Sequence, residues 1–136
     1  MANSAFDFGS GGGSGGTSSV SRSQLSKNQS SHGLIALKVV RLNTSSNYVS
    51  AQADSNSNSE AVAVVESVSG DDLVLVLNGE ITGDFSAFTA GDLLYLSQGT
   101  AGAVQNTQPS SGIAKHVMTV VSSTKALVHM HNAVIL

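Results

Sequence analysis

The sequence predicts an all-β protein: a small antiparallel β-barrel or sandwich of roughly seven to nine short strands, preceded by an extended Gly/Ser-rich N-terminal arm. Two observations predict this fold class. Short apolar runs recur along the chain and are separated by clusters of Gly, Ser, Asn and Asp, which are typical of turns. Charged residues make up only 11% of the 136 residues and aromatic residues 4%, a composition unlike that of a helical bundle.

The predicted arm covers residues 1–33, which contain ten Ser and seven Gly. Such a composition is typical of a flexible linker, but this segment also carries apolar and cationic side chains. Ordering an arm costs about 1–2 kcal/mol of chain entropy per residue, so an ordered arm needs a partner surface along its length. We therefore predict that it binds a partner. The candidate partner-binding residues are Phe6, Phe8, Val20, Arg22, Leu25 and Lys27.

The β domain is predicted over residues 34–136. Its first two strands, 34–42 and 48–53, flank a polar turn. The next two, 61–68 and 73–81, are separated by a short Gly-containing turn and predict a hairpin. The remaining strands are expected within 93–99, 100–107, 113–121 and 126–136.

The strand at 73–81 is apolar on both faces. Leu73, Leu75 and Leu77 alternate with Val74 and Val76, so side chains on both sides of the sheet need cover. One face can fill the core of the domain. The other needs a second sheet or a neighbouring subunit, and we predict these five residues as a candidate oligomer face.

The distribution of charge excludes some partners. Residues 1–41 carry a net charge of +3, and residues 42–136 carry −6. The cations of the first segment are too dilute for a nucleic-acid-binding arm and favour an acidic protein surface instead. No apolar run reaches the roughly 18 residues of a membrane span, and the N-terminal residues do not read as a secretory signal. We therefore predict neither a nucleic acid nor a membrane as partner.

Motifs for catalysis and cofactor binding are missing. The stretch GGGSGG, residues 11–16, formally satisfies G-x-G-x-x-G, but no strand precedes it and no helix follows it. The sequence has no G-x-S-x-G elbow, and nothing aligns a nucleophile with a base. We predict that the protein is not an enzyme, has no catalytic residues and binds no cofactor.

Two histidines form the weak candidate for a metal site. His129 and His131 are two positions apart, so they share one face of a strand. A metal site usually needs a third or fourth ligand, and the sequence identifies none. His116 and His32 have no neighbouring ligand in the sequence. No metal site is therefore predicted, and whether His129 and His131 bind an ion is left open.

A longer pattern runs through residues 60–112. It combines a strand ending in Val-Glu-Ser-Val, a Gly turn, a second strand ending in Gly-Glu-Ile-Thr-Gly at 79–83, the stretches FTAGDLLYLS at 88–97 and TAGAV at 100–104, and a Pro/Ser/Gly loop ahead of the last strands. This pattern resembles a β module of tailed-bacteriophage virion proteins, which is found in capsid decoration (cement) proteins and in tail-fibre or tail-associated proteins. The resemblance carries no catalytic residues and does not include the arm.

The resemblance implies a structural virion protein that decorates and stabilises a phage capsid. Its location would be the virion, assembled in the host cytoplasm. The implied partners are the major capsid protein and further copies of this chain in a homotrimer, with the arm clamping neighbouring coat subunits. Two alternatives remain open. One is a tail, neck or fibre-attachment protein of the virion, and the other is a carbohydrate-binding module, against which the absence of Trp counts.

Overall fold

The computed structural model describes residues 21–136, and this part of the chain is all β, with no helix. The all-β prediction is therefore confirmed. The strand count exceeds the prediction, since β1 lies in the predicted arm and each of the two C-terminal runs contains two strands. The strands are β1 (Ser23–Asn28), β2 (Val39–Leu42), β3 (Tyr48–Ser50), β4 (Ala63–Ser69), β5 (Asp72–Thr82), β6 (Leu93–Leu96), β7 (Val104–Gln105), β8 (Ile113–Ala114), β9 (His116–Ser122), β10 (Lys125–Val128) and β11 (Val134–Ile135).

Most of the strands form one curled antiparallel sheet that resembles half of a barrel. Its order is β3-β2-β4-β5-β10-β9-β6-β7, and β1 also pairs with β5. β8 and β11 form a separate small sheet. β5 is the organising strand, because β4 occupies one of its edges while β1 and β10 share the other.

The β4–β5 hairpin forms where the sequence predicts it. Gly70 lies in the connecting turn with a φ of 60°, a left-handed conformation that Gly adopts without steric cost. The predicted strand at 34–42 forms only in part, because β2 begins at Val39. The chain turns before it at Leu37, which has a φ of 70° and donates its backbone N–H to the Val65 carbonyl.

Two clusters of buried side chains hold the sheet together. The larger one lies inside the curl and includes Phe85, Leu94, Leu96, Ile81 and Met118. The smaller one covers the opposite face of the central strands and consists of Leu34, Val40, Ala63, Val65, Leu73 and Leu75. Each fully buried Val, Leu or Phe stabilises the fold by about 1.5–3 kcal/mol relative to exposure, so both faces contribute.

The smaller cluster bears on the predicted oligomer face. Leu73 and Leu75 are covered by other residues of this same chain, and Val76 is buried in the larger cluster. These three side chains have no area left for another subunit. Val74 is half-buried, and Leu77 keeps 37% of its surface accessible. The second apolar face of β5 was predicted to need a second sheet or a neighbouring subunit, and part of its cover comes from Leu34, which precedes β2 in the same chain.

Part of the predicted arm belongs to the sheet. The predicted arm extends to residue 33, whereas Ser23–Asn28 pair with residues 72–78 of β5. β1 carries a single large apolar residue, Leu25, so its own sequence has no strand alternation. The pairing is therefore set by the partner strand. Phe6, Phe8 and Val20 lie outside the described residues.

Gln29 fixes the chain as it leaves β1. Its buried side-chain amide accepts a hydrogen bond from Tyr48 N–H and donates one to the Tyr48 carbonyl, both at 2.8 Å. The amide thus replaces a strand partner for Tyr48 in β3, which is an edge strand of the sheet. The Gln29 backbone N–H donates to the Asp71 carbonyl at 2.8 Å.

No helix in residues 21–136 is long and apolar enough to cross a membrane.

Candidate functional site

Three histidine side chains meet at one end of β9. His116 begins this strand, and His129 and His131 follow the end of β10. The backbone holds the two segments side by side: His129 N–H donates to the Val117 carbonyl at 2.9 Å, and His131 N–H donates to the His116 carbonyl at 3.1 Å. The three rings are therefore positioned by the hairpin and not by chance contact of loose side chains.

The rings are close enough for their nitrogens to share one ligand. The distances between ring centroids lie from 4.5 Å for His116–His129 to 4.8 Å for His129–His131. One ring nitrogen from each residue lies within 4.8 Å of the other two. Among residues 21–136 this is the one group of three or more His, Asp or Glu side chains with metal-binding spacing.

Hydrogen bonds define which nitrogens are free. His116 Nε2 lies 2.9 Å from the Met118 carbonyl, which can only accept, so Nε2 carries the proton and Nδ1 keeps a lone pair in the neutral ring. Thr119 Oγ1 lies 2.8 Å from His129 Nε2. His131 Nε2 and His129 Nδ1 are 2.8 Å apart, so one proton is shared between these two nitrogens.

The surroundings keep two of the rings neutral. Burial lowers the pKa of His116, the hydrogen bond to the Met118 carbonyl acts in the opposite direction, and the charge of a protonated His131 would lower the pKa further. Burial likewise lowers the pKa of His129, with repulsion from His116 and His131 adding to the effect. A neutral imidazole has a nitrogen lone pair available at neutral pH, which is the form that binds a metal ion.

A small cavity adjoins the cluster. It has a volume of about 170 Å³ and is lined by both apolar and polar groups. Tyr95, Gln108 and Asn132 contribute polar side chains, and His116 and His131 form part of the wall. The Tyr95 and His116 ring centroids are 5.5 Å apart. A ligand bound by the rings would therefore be reached from this cavity.

A second, more open cavity lies beyond Asn132. Its volume is about 450 Å³, and Glu60, Lys115 and Ile135 are among its lining residues. Burial lowers the pKa of Lys115, while the charge of Glu60 acts in the opposite direction. No nucleophile and base are hydrogen-bonded to each other among the described residues that line this cavity.

The described residues of the predicted arm have partners in their own chain. Arg22 was expected to meet an acidic partner surface, but its guanidinium binds both carboxylate oxygens of Glu66, with Nη1–Oε2 at 2.6 Å and Nη2–Oε1 at 2.9 Å. Lys27 is half-buried beside β5, and Leu25 keeps 39% of its surface exposed. Of these three residues, Leu25 offers the most apolar surface to a partner.

Sequence reasoning missed His116 as the third member of the cluster. Strand spacing pairs His129 with His131 but gives His116 no companion in the sequence. The signal was the register of the last hairpin: Val128 pairs with Met118, and continuing this register places position 116 opposite position 130, between the two histidines. That register depends on a two-residue turn and a bulge, which strand spacing alone does not give.

Comparison with known proteins assigns nothing to this cluster. No protein family, no curated protein and no solved structure matches the chain. Function is therefore inferred from the fold and from the pattern of residues 60–112.

Proposed function

We propose that this chain is a structural virion protein of a tailed bacteriophage that decorates and stabilises the capsid. The resemblance of residues 60–112 to virion β modules motivates the proposal. The observation that carries it is the pairing of β1 with β5, because this pairing fastens the Gly/Ser-rich N-terminal segment to the central strand of a packed domain.

The fastening is suited to bearing load. Ser23–Asn28 pair with β5 along their whole length, and side chains add a bond near each end. Arg22 binds Glu66 at the start, and Asn28 Nδ2 donates to Asp72 Oδ1 at 2.8 Å at the end. A force applied along β1 through the preceding residues is therefore shared among many hydrogen bonds. Each contributes about 0.5–1.5 kcal/mol of net stability, and together they resist extraction of the strand.

Attachment of a decoration protein combines weak contacts. In the proposed mechanism, residues 1–20 bind neighbouring coat subunits while the sheet domain rests on the shell. Several such contacts on one molecule, and several molecules in a homotrimer, raise the overall affinity by effective concentration. Leu25 and Leu77 remain partly exposed on β1 and β5 and are the apolar residues that we assign to contacts between copies.

Copy number tests this proposal and separates it from a tail, neck or fibre-attachment role. The chain and the major capsid protein should be quantified by mass spectrometry in purified phage particles from cells that produce the chain. A fixed ratio comparable to that of coat subunits is expected. A few copies per particle would assign the chain to the tail, and its absence from particles would refute a virion role.

A truncated variant tests the arm. We expect a chain lacking residues 2–20 to lose binding to particles stripped of this protein, while the full chain rebinds. The variant keeps β1, so its sheet remains complete. Undiminished occupancy by the truncated chain would remove the N-terminal segment from the mechanism.

A further inference from the structure

We propose that His116, His129 and His131 bind one divalent first-row transition ion, preferably Zn²⁺, and that this ion fastens the C-terminal segment to β9. This inference is independent of the virion role proposed above. It requires only that the three rings and their supporting hydrogen bonds be arranged as the structure gives them.

The donor set selects the class of ion. All three ligands are imidazole nitrogens, the chain contains no Cys, and no carboxylate belongs to the cluster in residues 21–136. Mg²⁺ and Ca²⁺ require oxygen ligands and are not expected here. Imidazole suits Zn²⁺, Cu²⁺, Ni²⁺ and Co²⁺, and three histidines with one open position are a recurrent zinc arrangement.

The distances are compatible with closure around an ion. Zn–N bonds of about 2.0–2.1 Å place the nitrogens of a tetrahedral site about 3.3 Å apart. His129 Nδ1 and His131 Nε2 are already 2.8 Å apart, held by one shared proton. An ion entering between them would take the place of that proton, and the ring that loses it would carry its proton on the other ring nitrogen and so remain a neutral ligand. One ring nitrogen of His116 lies within 4.8 Å of one nitrogen of each of the other two rings, and rotation of the exposed His131 ring can close the set.

The supporting bonds are those that orient metal-binding histidines. His116 donates from Nε2 to the Met118 carbonyl, and His129 Nε2 is hydrogen-bonded to Thr119 Oγ1. The first bond leaves His116 Nδ1 with a free lone pair, and the second leaves His129 Nδ1 facing His131 Nε2, where the ion would enter. Carbonyl and hydroxyl partners of this kind tune the orientation and basicity of a ligand. The fourth position of the ion would face the cavity next to Tyr95 and Gln108 and be filled by water.

Binding would cross-link two parts of the chain. The segment after β10 is held by backbone bonds from His129 to Val117 and from His131 to His116. Further along, it is held by the two-residue pairing of β11 with β8 and by the bond from the Leu136 N–H to the Gly112 carbonyl. Val134, Ile135 and Leu136 are all exposed by more than half of their surface. An ion held by His116 on one side and by His129 and His131 on the other adds a strong connection where the backbone bonds are few. Stability should rise with free ion concentration, because the ion binds the folded state.

The test uses the full chain treated with EDTA and then titrated with ZnCl₂ in a calorimeter, and with CoCl₂ in a spectrophotometer. We expect one ion per chain, the visible absorption of tetrahedral Co²⁺, and a rise in Tm with ZnCl₂. His131→Asn should abolish all three signals; this residue is exposed, so the variant should fold. His32→Asn is the matched control, since His32 instead contacts Gly70 and Leu34.

Three outcomes would overturn the proposal. The first is the absence of stoichiometric binding by the wild-type chain. The second is equal binding by the His131→Asn variant, and the third is a ratio of one ion per three chains, which would place the ligands on different copies. Hydrogen exchange adds a further readout, because ZnCl₂ should slow exchange in residues 129–136 of the wild type and leave the His131→Asn variant unchanged.

Discussion

Arg22 and Glu66 form a two-point ion pair across 44 positions of sequence, with N–O distances of 2.6 and 2.9 Å. Glu66 occupies the bulge where β4 changes register against β5. Its carboxylate also accepts a hydrogen bond from Thr82 N–H at 3.1 Å. The pair therefore ties the start of β1, the bulge of β4 and the end of β5 to one another.

Replacing Glu66 by Gln should lower the free energy of unfolding by about 1 kcal/mol, a value that allows for the partial exposure of the pair. Urea denaturation of wild type and variant measures the difference. Glu80→Gln is the matched control, since Glu80 meets Lys125 through a single, longer contact of 3.2 Å. Its replacement should therefore lower the free energy of unfolding by less. An equal loss in the two variants would contradict a special role for the two-point pair.

The same carboxylate should make stability depend on pH. The hydrogen bonds from Arg22, followed by that from Thr82, hold the pKa of Glu66 below its ordinary value of 4.5. Because the pKa of Glu66 is lower in the folded than in the unfolded state, its ionised carboxylate adds to the free energy of unfolding. This contribution is fully present above the unfolded-state pKa and is lost as pH falls through the folded-state pKa. Unfolding free energies measured below pH 4.5 should therefore converge for wild type and Glu66→Gln. If the difference in unfolding free energy between wild type and Glu66→Gln stayed constant across that pH range, Glu66 would be excluded as the titrating group.

Gly79→Ala should dislodge the start of β1. Gly79 has a φ of 102°, and a Cβ there would lie 2.6 Å from the Ser21 carbonyl oxygen and 2.7 Å from Arg22 Cα. We expect a loss of about 1–3 kcal/mol and faster hydrogen exchange in Ser23–Asn28. Gly70→Ala is the control: its φ is also positive, but an added Cβ meets nothing within 4 Å. Unchanged exchange in β1 of the Gly79 variant would refute the close approach.

Removing the Gln29 amide should expose the sheet edge. In Gln29→Ala the Tyr48 N–H and carbonyl lose both partners, and we expect a loss of about 1–2 kcal/mol in urea denaturation. Gln105→Ala serves as the control, because the Gln105 amide makes one exposed contact, to the nearby Thr107 carbonyl. A cost no greater than that of the control would show that the Gln29 amide does not stabilise the β3 edge.

Thr119 should act as a positioning residue for the proposed ion. Thr119→Val removes the hydroxyl that holds His129 Nε2 and should weaken Zn²⁺ binding by about tenfold to a hundredfold. Thr119→Ser should restore the affinity, since it keeps the hydroxyl. Thr124→Val, in the β9–β10 turn, should leave affinity unchanged. Calorimetric titration compares the four proteins, and failure of the Ser variant to recover binding would count against the hydroxyl.

Sequence reasoning succeeded where the determinants are local. The β4–β5 hairpin was predicted at 61–68 and 73–81 and is observed at Ala63–Ser69 and Asp72–Thr82, because apolar runs and a Gly turn specify it. The sequence-based prediction of strand boundaries failed where a contact with a residue far away in the sequence determines the local conformation. The apolar run at 34–42 reads as one strand, yet Leu37 turns the chain so that its N–H meets Val65.

The histidine cluster was predictable only in part. The two-residue spacing of His129 and His131 places them on one face of a strand, and this is evident from the sequence. His116 joins them through the register of β9 against β10, and that register includes a shift between Lys125 and Ala126. A bulge of one residue changes which side chains lie opposite each other, so the third ligand could not be assigned without the three-dimensional structure.

The pairing of Ser23 with Asn78 also limits the order in which the strands can join the sheet during folding. β1 is synthesised before β2, β3 and β4, but its docking strand is β5. During translation β1 therefore cannot complete its pairing until residue 78 has left the ribosome. The closure of this long loop is a late, entropically costly step, and it makes the N-terminal strand the last of the first five to gain its place.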